Sequence, residues 1–173
     1  MNNVIFSNGL RFVVLVFVQV LLLQRISLGG ENFNYVQVIL YPIFLLLLPL
    51  RIPHPLLVFF GFLIGISIDI FYDSIGIHAS ASVFTAYIRP YVLASIAPRG
   101  GYNLNYSPNK HHFGINWFFI YACIMMFAHL FFYFSVEAFT FVYIVDIFIS
   151  TIASFIVSLI LVIIYQYLFD PKD

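Results

Sequence analysis

Between Phe141 and Leu168 the chain carries a single charged side chain, Asp146, and apolar runs of this kind recur along its whole length. A helix needs about 20 consecutive apolar residues to cross the ~30 Å hydrocarbon core of a bilayer. In 173 residues such runs leave little over, so the chain is expected to form one membrane domain, 1–173, without a sizeable soluble part. The composition fits: 63% of residues are hydrophobic, 8% are charged and the mean hydropathy is +1.04, against roughly 25% charged residues in soluble domains.

Glycine, proline and polar clusters divide the chain into six expected helical spans, at approximately 10–28, 35–50, 56–72, 78–97, 115–135 and 141–168. The dividers are Gly29-Gly30-Glu31-Asn32, Arg51-Ile52-Pro53-His54-Pro55, Asp73-Ser74-Ile75-Gly76 and the long polar stretch 98–114. The expected fold is therefore an all-α integral membrane bundle of about six transmembrane helices. Lys and Arg are retained on the cytoplasmic side during insertion. An inside N-terminus puts Arg11, Arg51, Arg99, Lys110 and Lys172 on that side and only Arg25 near the other, so both termini are expected in the cytoplasm. The N-terminal run has no small-x-small cleavage site and reads as a retained anchor.

Several function classes find no support. With a formal net charge of zero there is no field to hold nucleic acid. The one cysteine, Cys123, lies in an apolar run and cannot form an intrachain disulfide. No His-Glu-x-x-His, Gly-x-Ser-x-Gly or phosphate-cradling glycine loop occurs, so no catalytic residue, cofactor or metal site is expected. His111-His112 are two neighbouring histidines in a loop, a weak metal signal, and 98–114 reads as a solvated connector or a docking surface for a cytoplasmic partner.

The informative residues are the polar ones inside the spans, because each is costly there. Gly61, Gly65, Asp69 and Asp73 recur every fourth residue, which aligns them on one face of a helix. Asp146, Ser150, Ser154 and Ser158 repeat the device. Both faces are expected to pack against neighbouring helices or a partner. Gln24, Arg25, Asp69, Asp73, His78, His129 and Asp146 all fall in the outer half, where Arg25 or His129 is expected to neutralise Asp69 or Asp146. A ligand or proton pathway and a catalytic site are the weaker readings of this cluster. Arg89-Pro90 suggests a kinked helix whose guanidinium caps a freed carbonyl or snorkels to the headgroups.

Leu48-Pro49-Leu50-Arg51, then Gly61-x-x-x-Gly65-x-x-x-Asp69, then Ile75-Gly76-Ile77-His78-Ala79 together resemble the MreD family, the small membrane subunit of the bacterial rod-shape machinery. The resemblance covers the layout of the whole chain and is motif-specific over about Leu48 to Tyr87; the bulk of loop 98–114 and the acid at Asp73 depart from the family pattern. It implies a non-enzymatic scaffold in the bacterial cytoplasmic membrane that binds the bitopic protein MreC. Through MreC it would join MreB, a SEDS glycosyltransferase and a class B transpeptidase in cell-wall elongation. It also implies a bundle similar in shape to the substrate-binding subunit of energy-coupling-factor vitamin transporters, and such a solute-binding subunit is the alternative function.

Overall fold

A computed structural model describes residues 2–25, 36–74 and 76–169, with side chains apart from those of 2–5 and 141. The expected turn at Gly29–Asn32, the end of the first span beyond Arg25 and the tail Asp170–Asp173 lie outside the described residues. The described chain is helical. It comprises α1 (Asn2–Phe17), which continues through a π turn (Val18–Leu22) and a 3-10 turn (Leu23–Arg25), α2 (Ile43–Leu47), α3 (His54–Tyr72), α4 (Ile77–Ser95), α5 (Lys110–Phe113), α6 (Ile115–Ala138) and α7 (Ile144–Leu168), the last preceded by a 3-10 turn at Phe141–Tyr143.

Four helices are long and apolar enough to cross a membrane, at Phe6–Arg25, His54–Tyr72, Ile115–Ala138 and Ile144–Leu168, as in a multi-pass membrane protein. Their outward faces carry the large apolar side chains that lipid requires, among them Phe6, Phe17, Phe59, Phe119, Ile152 and Ile160. α4 is similar in length to α3 but more polar, and it buries its polar side chains instead of exposing them. α3 packs on α4, α4 on α6 and α6 on α7, while α1 lies against α3.

The second expected span is not a membrane helix. Residues 36–42 have no helical structure, α2 has five residues, and the chain is extended again at Leu48. Yet this is the most deeply buried stretch among the described residues, with every side chain from Val38 to Leu48 that is hydrophobic at 8% exposure or less. It starts near the C-terminal end of α6, where Gln37 Nε2 donates to Glu137 Oε1 at 3.2 Å. It finishes at the opposite end, where the Leu50 N–H donates to Tyr106 O at 3.1 Å. The segment thus threads the bundle lengthwise. Apolarity alone does not distinguish such a buried extended run from a helix, and Pro42 supplies no N–H for continuous helical bonding upstream.

The other boundaries move by smaller amounts. α1 starts at Asn2, α4 runs from 77 to 95, α6 reaches Ala138, and the loop 98–114 contains α5. That loop folds back on the bundle: Tyr102 Oη donates to Leu93 O at 2.8 Å and Trp117 Nε1 donates to Ile96 O at 2.9 Å. Burial pushes the Tyr102 phenol pKa above its usual value.

Candidate functional site

The extended segment poses a problem of hydrogen bonding: it buries main-chain N–H and C=O groups with no helix to satisfy them, and each orphan would cost about 1–3 kcal/mol. The polar residues of the spans solve it. Ser154 Oγ accepts the Gln37 N–H and Ser158 Oγ accepts the Ile39 N–H, both at 2.9 Å. Two residues of extended chain advance ~6.6 Å and four residues of helix advance ~6 Å, so one helical turn of α7 matches one repeat of the strand. In an extended chain alternate residues turn their N–H and C=O to opposite edges. The opposite edge is met by Gln19 in the π turn of α1, whose Nε2 donates to Val38 O and whose Oε1 accepts the Leu40 N–H, both at 2.9 Å. The π turn widens the helix locally and carries Gln19 inward to 1% exposure.

At the other end of the segment, Arg89 lies 2% exposed within α4. Its Nη2 donates to Leu48 O and, at 3.5 Å, to Leu46 O, while its Nε donates to Tyr121 Oη at 3.0 Å. Tyr121 Oη donates in turn to Leu46 O at 3.2 Å. The guanidinium therefore does not snorkel; it gathers the carbonyls at the end of α2, and α4 continues past Pro90 to Ser95.

Between these ends stands Tyr41, fully buried. Its hydroxyl lies 3.0 Å from His129 Nε2 and 3.1 Å from His78 Nδ1, and His129 Nδ1 lies 2.7 Å from Thr85 Oγ1. Thr85 Oγ1 donates its proton to Ala81 O at 2.7 Å. It therefore accepts from His129 Nδ1–H, which leaves His129 Nε2 to accept from Tyr41, and Tyr41 to accept from His78 Nδ1–H. The chain of donors runs one way, from His78 Nδ1–H to Ala81 O, and leaves His78 Nε2 behind it as a buried acceptor with no hydrogen-bond partner among the described residues. This chain fixes the orientation and the tautomer of both imidazoles.

Asp69 has a different role from the expected ion pair. Its Oδ1 accepts from His78 N–H and Ser74 Oγ, and its Oδ2 from Gly76 N–H and Ala79 N–H, at 2.9–3.1 Å. One carboxylate from the last turn of α3 thus satisfies the amides that open α4, where a negative charge also complements the helix dipole. The turn needs Gly76, whose φ is +90°. Gly61 and Gly65 lie on the same face: a Cβ on Gly65 would come 2.3 Å from Ala79 Cα, and one on Gly61 2.8 Å from Ser82 O.

The remaining expectations need correction. Asp73 is exposed at the C-terminus of α3 with φ +51°, and Asp146 is exposed in the first turn of α7, so neither packs against another helix of this chain. His129 pairs with hydroxyls instead of an acid, and Arg25 ends exposed on the 3-10 turn. Gln24 donates to Phe71 O at 3.1 Å. Ser150 is buried on the same α7 face as Ser154 and Ser158. His112 stacks on Tyr106 with centroids 4.0 Å apart, and no group of three metal-ligating side chains occurs among the described residues.

Sequence reasoning passed over Gln19, Tyr41, Thr85 and Tyr121. A signal existed for the last: Tyr121, Met125, His129, Tyr133 and Glu137 recur every fourth residue of α6, facing His78, Ser82, Thr85 and Arg89 of α4. In comparisons with known proteins, no family model, no curated protein and no solved structure matches this chain.

Proposed function

We propose that the chain is a non-enzymatic membrane scaffold of the bacterial cell-wall elongation machinery, an MreD-type subunit that binds the membrane helix of MreC and reaches MreB, the SEDS glycosyltransferase and the class B transpeptidase through it. It crosses the cytoplasmic membrane six times, with the segment 36–50, which includes the short helix α2, as one crossing and both termini in the cytoplasm. The observation that carries this reading is how the in-span polar groups are used. Gln19, Asp69, Arg89, Ser154 and Ser158 each bond to main-chain atoms of this same chain.

Such groups build one rigid bundle and leave its lipid-facing surfaces to receive a partner. The residues of the family resemblance fit that use, since Gly61, Gly65, Asp69, Gly76 and Ala79 make up the α3–α4 turn and its close contact. The solute-binding alternative draws on the outer-half acids for its pocket. Asp69 is spent on α4, while Asp73 and Asp146 are exposed, which favours the scaffold.

The test is co-purification of the tagged protein from its native membrane in mild detergent, with partners identified by mass spectrometry. The scaffold is expected to bring down a single-span periplasmic coiled-coil protein together with cell-wall synthases. Recovery of a pair of ATPases and a coupling subunit would replace it with the transport function.

A further inference from the structure

Beside the core, an apolar groove of about 710 Å³ opens on one side of the bundle between α1, the turn after α2 and the first half of α3, within the ~300–1,000 Å³ range of small-molecule sites. Gly9, Phe12, Phe44, Pro49, Leu56 and Phe60 contribute to its walls. Gly9 is the telling position. A Cβ added there would meet nothing within 4 Å, so the chain's own packing does not call for glycine inside α1, where it costs roughly 0.5–1 kcal/mol relative to alanine. Gly9 is exposed on the groove wall, where the lack of a side chain leaves the groove open toward lipid.

The height of the groove decides what fits. Its walls run from Asn8 to Val13 on α1 and from Leu56 to Leu63 on α3, about 10 Å at 1.5 Å per residue, whereas a partner's membrane helix would run along the full ~30 Å of the hydrocarbon core. A site so short, and confined to one end of the bundle, suits acyl chain from a single leaflet. The charge at that end selects the headgroup. Arg51 is exposed next to Ile52, which lines the groove. The acids among the described residues sit at the opposite end: Asp69 and Asp73 where α3 finishes, Glu137 where α6 finishes and Asp146 where α7 begins.

We propose that this groove is a binding site for an anionic phospholipid of the adjoining leaflet, with an acyl chain against Gly9 and the phosphate on Arg51. The inference does not depend on the scaffold function.

The test is lipid extraction and native mass spectrometry of protein purified in mild detergent from membranes containing phosphatidylglycerol and phosphatidylethanolamine. The wild type is expected to retain phosphatidylglycerol through delipidating washes. Gly9→Phe fills the groove and should lose it at least tenfold, while Gly9→Ala keeps it. Arg51→Gln should retain lipid but lose most of the preference for phosphatidylglycerol. Val13→Trp, from a groove position 47% exposed, is the second blocking variant should Gly9→Phe fail to fold. Wild-type protein that retains no lipid, or a folded blocking variant with the same lipid as wild type, would overturn the proposal. So would a photo-crosslinker at Val13 that captures a polypeptide in place of lipid.

Discussion

Ser158 holds Ile39: its hydroxyl accepts the buried main-chain N–H at 2.9 Å, one helical turn along α7 from the equivalent bond between Ser154 and Gln37. Ser158→Ala leaves that N–H without an acceptor at a depth where no water replaces it, so the expected loss is about 1–3 kcal/mol of stability. Ser158→Thr keeps the hydroxyl and should lose less. Unfolding in mixed micelles at increasing denaturing-detergent fraction measures both. Equal loss for alanine and threonine would show that the site responds to volume alone.

The serines illustrate how far the sequence could be read. Their spacing of four marks a polar face on α7, and that face is legible without a structure. What lies against it is not, because 36–50 is as apolar as a helix and its departure from helical geometry is dictated by partners distant in sequence: Gln19, Arg89, Tyr121, Ser154 and Ser158. Gly61, Gly65 and Asp69 are legible as one face for the same reason of spacing, but the use of Asp69 on amides depends on a turn whose geometry is set by Gly76. Asp73 and Asp146 share the spacing of their neighbours yet sit at helix ends, where a side chain reaches solvent or headgroups whichever face it occupies.

The glycines of the protein separate into two kinds, and alanine distinguishes them. Gly65→Ala places a methyl group against the backbone of Ala79, which cannot rotate away, so α3 and α4 must part at an expected cost of about 3 kcal/mol. Gly9→Ala meets open space and is expected to be neutral or stabilising by up to ~1 kcal/mol. Thermal unfolding followed by size-exclusion chromatography reads both. Similar midpoints for the two variants would rule out the close contact between α3 and α4.

Asp69→Asn keeps the shape of the cap but removes its charge and one acceptor oxygen, while Asp69→Leu removes both acceptors from the N–H groups of Gly76, His78 and Ala79. The expected order of stability is wild type, then Asn, then Leu. The Asn variant should lose about 1–2 kcal/mol and Leu substantially more, since several orphaned donors then open α4. Hydrogen exchange of the first turn of α4 is the local readout; protection there that is unchanged in Asp69→Leu would show that the carboxylate does not cap the helix.

Arg89 cannot be replaced by lysine at equal stability. Its fork reaches Tyr121 with Nε while Nη2 serves the carbonyls of Leu46 and Leu48, a planar geometry that an ammonium group does not reproduce. Arg89→Lys is expected to destabilise the protein by about 1–3 kcal/mol through incomplete pairing of a buried charge, and to loosen the end of α2, seen as faster hydrogen exchange at Leu47–Leu50. A lysine variant with wild-type stability and exchange would show that any cation suffices.

Tyr41 links the imidazoles of His78 and His129 through its hydroxyl, the one atom of the side chain that the link needs. Tyr41→Phe removes a donor to His129 Nε2 and an acceptor for His78 Nδ1–H at once. Both histidines are fully buried, so two polar atoms lose their partners while the ring volume is retained. The expected cost is about 2–4 kcal/mol, from two orphaned groups at the lower half of their usual range. Tyr133→Phe is the comparison, since that hydroxyl's bond to Glu137 is long, at 3.4 Å, and its loss should cost under ~1 kcal/mol. The shared origin of the penalty appears in a double-mutant cycle. Once Tyr41 is phenylalanine, replacing His78 by phenylalanine no longer breaks the bond between them, so the pair should be non-additive by about 1 kcal/mol or more. Imidazole nitrogen shifts supply an independent readout: the wild type should show both histidines neutral with the proton on Nδ1, and Tyr41→Phe should release His78 from that tautomer while Thr85 still holds His129. Additive stabilities together with an unmoved His78 tautomer would mean that the hydroxyl does not organise the pair.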